Sequence, residues 1–173
     1  MTEIKKILAP LAVALLVAAC GPSAAEPGAA GRSGGADTTE SVASADALPA
    51  VTVYKTPTCG CCSAWVDHLE ENGFTVRATD MPDVSPMRRQ LGLPQDLTSC
   101  HTAVIDGYVV EGHVPAHVIK RMVEERPDIT GIAVPGMPIG SPGMEVPNRA
   151  PQPYEVIAFD RRGARFVFEA VGL

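Results

Sequence analysis

Three cysteines in four residues, Cys59-Gly60-Cys61-Cys62, stand between two segments of opposite periodicity. Before them, Val51-Thr52-Val53-Tyr54 is β-branched and aromatic and stops at Lys55-Thr56-Pro57, the pattern of a short strand entering a loop. After them, Trp65, Val66 and Leu69 follow helical spacing until Asn72-Gly73, which predicts a helix over Ser63–Asn72 that opens at the cysteines. A thiol at a helix start meets unsatisfied N–H groups and the positive end of the dipole, which favours its thiolate for nucleophilic attack and metal binding alike. Cys59 and Cys62 have C-x-x-C spacing, but a third thiol exceeds what a two-thiol redox couple uses. Neighbouring Cys61 and Cys62 would form only a strained disulfide, so the extra sulfur reads as a ligand.

The alternation continues downstream. Phe74–Ala78 predicts a second strand, and Ser85–Gly92 a short helix with Pro86 in its first turn and Gly92 at its end. Thr102–Ile105 and Tyr108–Val110 flank Asp106-Gly107, a strong hairpin signal. Pro115–Glu125 predicts a last helix with Val118, Ile119 and Met122 turned inward, ending before Pro127. Val134–Met144 is too rich in Gly and Pro for regular structure, and two strand-like runs follow, Tyr154–Asp160 and Arg165–Val171. The order β-α-β-α-β-β-α, with cysteines where the first strand meets the first helix, resembles the thioredoxin or glutaredoxin fold. The expected class is α/β: a thioredoxin-like domain over 50–173 with a C-terminal Gly/Pro/Met-rich loop and β-hairpin extension from about 128.

Ahead of that domain, Lys5 and Lys6 precede an apolar run from Ile7 to Ala19, too short to span a bilayer but of signal-peptide length. Residues 1–19 are therefore expected to be a signal peptide. Leu16-Val17-Ala18-Ala19-Cys20-Gly21 resembles a bacterial lipobox, in which Cys20 takes a lipid; an ordinary cleaved signal with Cys20 as a spare thiol is the alternative. Residues 20–49 are Ala, Gly, Ser and Pro with scattered acids, a composition that cannot bury a core and reads as a lipidated flexible linker. These features predict a periplasmic protein, lipid-anchored to a bacterial membrane. With 14 Lys plus Arg against 20 Asp plus Glu, a net charge of −6, the chain lacks the clustered cations that phosphate neutralisation requires, which excludes nucleic acid as a partner.

Cys100 and His101 come just before the third strand, where a thioredoxin fold sets a loop against the active-site cysteines. On that fold Cys100 enters the Cys59–Cys62 pocket and brings four sulfurs together. Soft thiolates select Cu(I), zinc or iron–sulfur species. Zinc on four cysteines makes a closed structural site and leaves no role for nearby methionines. Met137 and Met144, in the irregular loop, carry the soft thioether that suits Cu(I), or else plug gaps in the core. His113 either reaches the same pocket or caps and packs. His101 is left open, while His68 and His117 read as surface or satisfied histidines. Met81, Met87 and Met122 read as core or loop residues, Trp65 as a core aromatic, and Glu70-Glu71 and Glu124-Glu125 as solvated faces. In an oxidising compartment the four domain cysteines could instead pair in two disulfides.

Four blocks taken together, Tyr54–Cys62, Ser99–Ala103, Asp106–Ala116 and Pro135–Glu145, resemble the CopG-type family of periplasmic copper-resistance proteins over essentially the whole folded region. The resemblance implies a thioredoxin-like domain whose C-terminal extension contributes to metal binding, and a cysteine-bridged cluster of several copper ions beside C-x-C-C. It also implies an oxidoreductase role, interconverting Cu(I) and Cu(II) so that copper passes to efflux machinery. Carried over by motif, Cys59, Cys61 and Cys62 are primary ligands with Cys100 close behind; His113, Met137 and Met144 form a second tier. Copper is the expected cofactor and zinc the alternative. Copper efflux machinery or periplasmic copper chaperones are the expected partners of a monomer. Two rival readings stand beside this one: a thiol–disulfide oxidoreductase in which Cys59 attacks and Cys62 resolves, and a copper chaperone or storage module without redox turnover.

Overall fold

A computed structural model describes residues 47–172. The expected signal peptide, Cys20 and most of the linker lie outside the described residues. The architecture is mixed α/β, built on one seven-stranded sheet. In chain order the elements are β1 (Val51–Lys55), α1 (Gly60–Glu71), β2 (Val76–Asp80), α2 (Ser85–Gln90), a 3-10 turn at Gln95–Leu97, β3 (Thr102–Ile105), β4 (Tyr108–Glu111), α3 (Ala116–Glu125), β5 (Gly131–Ala133), β6 (Tyr154–Phe159) and β7 (Arg165–Val171). Across the sheet they run β2-β1-β3-β4-β5-β6-β7. The β1–β2 and β4–β5 pairs are parallel and the other four antiparallel.

Local chemistry accounts for most of these elements. The helix after the cysteines starts earlier than its apolar spacing predicts, because Cys59 itself caps it: its sulfur accepts the Cys62 N–H at 3.3 Å. The second strand starts later than expected. Phe74 is buried at 4 % exposure and folds back under α1, its N–H bonded to the Leu69 carbonyl, so pairing with β1 begins only at Val76. The β3–β4 hairpin turns on Asp106 and Gly107, both left-handed at φ 49° and 86°, which is what an Asp-Gly turn supplies. On α3, Val118, Ile119 and Met122 are fully buried, as expected from their spacing, and such side chains contribute about 1.5–3 kcal/mol each.

Alternation along the strands gives the sheet two apolar faces. Val51, Val53, Val110, Ile132, Val156 and Ala158 meet Trp65, Leu69 and the inner side of α3 on one face. Their neighbours Val109, Ala133 and Phe159 meet Leu93 and Leu97 on the other. Leu48 packs on the first of these cores.

One strand was not expected. Gly131-Ile132-Ala133 pairs with β4 on one side and β6 on the other, so the C-terminal hairpin continues the same sheet. Its position depends on Gly131: a Cβ there would lie 2.0 Å from the Val109 carbonyl oxygen. The predicted hairpin itself is present as β6 and β7, with a register irregularity at Val156/Ile157. Among the described residues no helix is long and apolar enough to cross a membrane.

Candidate metal centre

The first turn of α1 carries the cysteine motif and no acidic residue, so its free N–H groups face the sulfurs without a competing carboxylate. Cys62 points into the core at 0 % exposure; Cys59 and Cys61 are half-buried. Cys59 and Cys62 are joined in a disulfide, while Cys61 and Cys100 are free thiols. Cys61 occupies the middle of the group, its Sγ 3.5 Å from that of Cys59 and 4.0 Å from that of Cys100. Four thiolates around one tetrahedral ion with bonds of about 2.3 Å would stand about 3.8 Å apart, so these spacings already match those of a ligand set.

Cys100 arrives on the loop between the 3-10 turn and β3, as expected. It brings imidazoles with it. Its Sγ is 2.9 Å from Nε2 of His113 and 3.3 Å from Nδ1 of His101. His113 follows β4 and precedes α3, and its Nδ1 is 2.8 Å from the Pro142 carbonyl oxygen. A carbonyl only accepts, so Nδ1 carries the proton and Nε2 is left with a lone pair facing Cys100, the tautomer a metal-binding imidazole needs. His101 is fully buried between Trp65 and His113, with ring centroids at 4.3 and 5.0 Å, and its Nε2 has no hydrogen-bond partner.

Burial disfavours the charged forms of Cys100, His101 and His113 in the metal-free pocket. Burial, then the neighbouring Cys61 thiol, push Cys100 up to about 12. Burial, then His113, push His101 down to about 3. Burial also lowers His113, against opposing contributions from Pro142 and Glu145. Neutral imidazoles are ready ligands; the thiols must give up protons to a cation that binds them.

The four sulfurs of Cys59, Cys61, Cys62 and Cys100 all lie within 4.8 Å of one another, and so do the donor atoms of Cys100, His101 and His113. Cys100 belongs to both groups. A set of thiolates and imidazoles fits a soft or borderline ion such as copper or zinc, and on His101 it is Nδ1 that faces Cys100. The full four-thiolate set forms only after two-electron reduction of the Cys59–Cys62 bond.

Of the residues singled out from sequence, Cys59, Cys61, Cys62, Cys100 and His113 therefore converge. Met144 is half-buried and follows Gly143, which lies against the backbone of Cys61 and Trp65. Met137 stands 52 % exposed on the preceding loop. His101, left open by sequence reasoning, joins the group; its adjacency to Cys100 was the available signal. His68 is satisfied, accepting the Ala116 N–H at the start of α3, and His117 is an exposed partner of Glu169. Trp65 is a core aromatic whose indole N–H donates to the Val114 carbonyl.

Residues 97–144 match a family described as a protein of unknown function, DUF411. No curated protein matches the chain. Two solved structures do, Form 1 and Form 2 of a copper resistance protein CopG. Each is 46 % identical with a TM-score of 0.67 over 71 % of this chain, covering 97 % and 98 % of those chains respectively.

Proposed function

The chain belongs to the CopG family of copper resistance proteins, and from that premise we propose that it binds copper through the thiolates of Cys59, Cys61, Cys62 and Cys100 in the service of copper resistance. The observation that carries this reading is the gathering of four sulfurs within 4.8 Å at a helix N-terminus, with Cys61 and Cys100 as free thiols. Shared thiolates suit a bridged site holding several ions. His113 supplies an oriented imidazole, and Met144 and Met137 are the thioether candidates on the loop above. Bound copper supplies one-electron chemistry between Cu(I), which thiolates favour, and Cu(II), which imidazole makes accessible. Around it, Trp65 and the strap at Ser141–Met144 exclude water, and Pro142 holds the His113 proton on Nδ1.

The parallel β1-α1-β2 unit, the antiparallel β3–β4 pair and α3 support a thioredoxin-like reading of the first part of the domain. The lipobox-like segment supports a lipid-anchored periplasmic protein; a monomer that hands copper to efflux machinery or a periplasmic chaperone completes the proposal.

A second reading draws on the Cys59–Cys62 disulfide, which places a C-x-x-C pair in the oxidised state of a thiol–disulfide oxidoreductase. Copper content and thiolate-to-copper absorption of the reduced chain separate the two. Several copper ions per chain, mostly lost in Cys61→Ser, support the copper site. Insulin reduction that survives Cys61→Ser, with no copper bound, supports the dithiol enzyme; a single zinc indifferent to Cys61→Ser leaves a structural site. Copper that passes to an acceptor without cycling against an electron donor and oxygen makes the protein a carrier or store.

A further inference from the structure

Behind Cys100 lies an ion pair that copper binding does not itself use. Glu111, the last residue of β4, is fully buried, and Arg88 of α2 meets it with Nε 3.0 Å from Oε1, its own side chain 16 % exposed. A buried ion pair is a weak stabiliser, because desolvation of both charges offsets most of their attraction and an apolar pair of similar volume serves a fold equally well. What distinguishes this pair is where its other bonds go. Oε1 also accepts the Ser99 N–H at 2.6 Å, and Oε2 accepts the Thr102 hydroxyl at 2.5 Å. Arg88 Nη2 donates to the Ser99 carbonyl at 2.7 Å.

Both backbone groups of the residue before Cys100, and the side chain of the residue after His101, are thus tied to one carboxylate–guanidinium unit. Gly112 closes the loop from the far side. Its N–H donates to the His101 carbonyl at 3.0 Å, and a Cβ there would lie 2.6 Å from the Ser99 side chain and from the Val134 carbonyl.

We infer that Arg88 and Glu111 are positioning residues for the metal centre: they fix Ser99–Thr102 so that the Cys100 sulfur stands 4.0 Å from Cys61 and 2.9 Å from His113 before any metal arrives. The identity of the ion rests on the copper reading above, but the placement of Cys100 does not. A pair that merely balanced charge would accept any cation at position 88. A positioning pair needs the arginine fork, because Nε and Nη2 reach different acceptors.

The test uses the full chain with Arg88→Lys, Glu111→Gln, Thr102→Val and Thr102→Ser, and two readouts. In the first, metal-free protein with Cys59–Cys62 oxidised is treated with dibromobimane, which bridges adjacent thiols, and the Cys61–Cys100 cross-linked peptide is quantified by mass spectrometry. In the second, copper content and thiolate-to-copper absorption are measured after reduction. Arg88→Lys and Glu111→Gln are expected to lower cross-linking about five-fold and to change the absorption spectrum, Thr102→Val to lower cross-linking about two-fold, and Thr102→Ser to restore it. Thr102→Val is close to isosteric, so it decides the matter on a folded protein even where Glu111→Gln does not fold. Wild-type cross-linking in Arg88→Lys and Thr102→Val overturns the positioning role while leaving copper binding intact. Failure of the wild-type chain to bind copper overturns the copper reading, and the metal-free cross-linking then decides the positioning role by itself.

Discussion

A Cβ built on Gly143 would stand 2.7 Å from the carbonyl oxygen of Cys61 and 2.9 Å from the Trp65 amide nitrogen, so the loop from the C-terminal extension lies directly on the first turns of α1. Gly143 also has φ +81°, a conformation costly for any residue with a side chain. Gly143→Ala is expected to cost about 2–4 kcal/mol from overpacking and strain together. Gly136→Ala, on the same loop at φ +69° but in open space, should cost only about 1–2 kcal/mol. Thermal melts of the two variants check the contrast; equal losses would mean that the loop does not press on the helix.

Trp65 is the single tryptophan of the chain, and its ring is 4.3 Å from His101. Cu(II) entering the pocket should quench its fluorescence strongly through its partly filled d shell, and zinc, with a filled d shell and no accessible redox state, should quench it little. Titration followed by emission checks this, and a Cu(II) titration that leaves emission unchanged would place the metal elsewhere. Trp65→Phe should in addition lose about 1–3 kcal/mol by leaving the Val114 carbonyl unpaired.

With Cys59 and Cys62 bonded, only Cys61 and Cys100 remain as thiols among the described residues. The oxidised chain should therefore bind fewer copper ions than the chain reduced and then freed of reductant. Metal analysis of the two forms measures the difference, and equal stoichiometry would remove Cys59 and Cys62 from the ligand set.

Burial lowers His68, His101 and His113 in the metal-free fold, His101 to about 3. Each holds its proton less tightly folded than unfolded, so as pH falls below about 6.5 the unfolded chain binds more protons than the native one. Their contribution to stability is complete above that pH and is lost as pH falls through the folded values, with His101 the last to protonate. Glu111, pushed up by burial, acts with the opposite sign. The urea midpoint of the metal-free chain should accordingly fall between pH 7 and 5, before the depressed carboxyls of Asp83, Asp96 and Asp160 begin to contribute. A flat profile over that interval would show that the imidazoles are not buried as found.

Met137 is 52 % exposed and Met144 half-buried. Met137→Ala should change stability by less than about 0.5 kcal/mol, so any copper it loses reports on ligation alone. Paired melting and metal analysis of Met137→Ala and Met144→Ala tell ligand loss from packing loss at each position.

Features set by local backbone chemistry were legible in the sequence. Asp106-Gly107 turns because both residues tolerate positive φ, α3 shows its buried side through spacing alone, and the cysteines open a helix because one of them caps it. The likeness of four sequence blocks to a copper-resistance family pointed to Cys59, Cys61, Cys62, Cys100 and His113 before their geometry was known. The start of β2 was misjudged because Phe74, apolar and aromatic, serves the core under α1 and not the strand ladder.

The sequence by itself determined where sulfur chemistry could occur, since three thiols at a helix start need no tertiary partner to be recognised. Only the tertiary structure decided that β5 exists, because three residues carry no periodicity and Gly131 answers to the Val109 carbonyl on a neighbouring strand. It decided also that His101 is buried against Trp65, and that Arg88 and Glu111, from separate elements, meet beneath the Cys100 loop. Burial and long-range pairing are properties of where distant segments pack, and a linear sequence holds them only as composition.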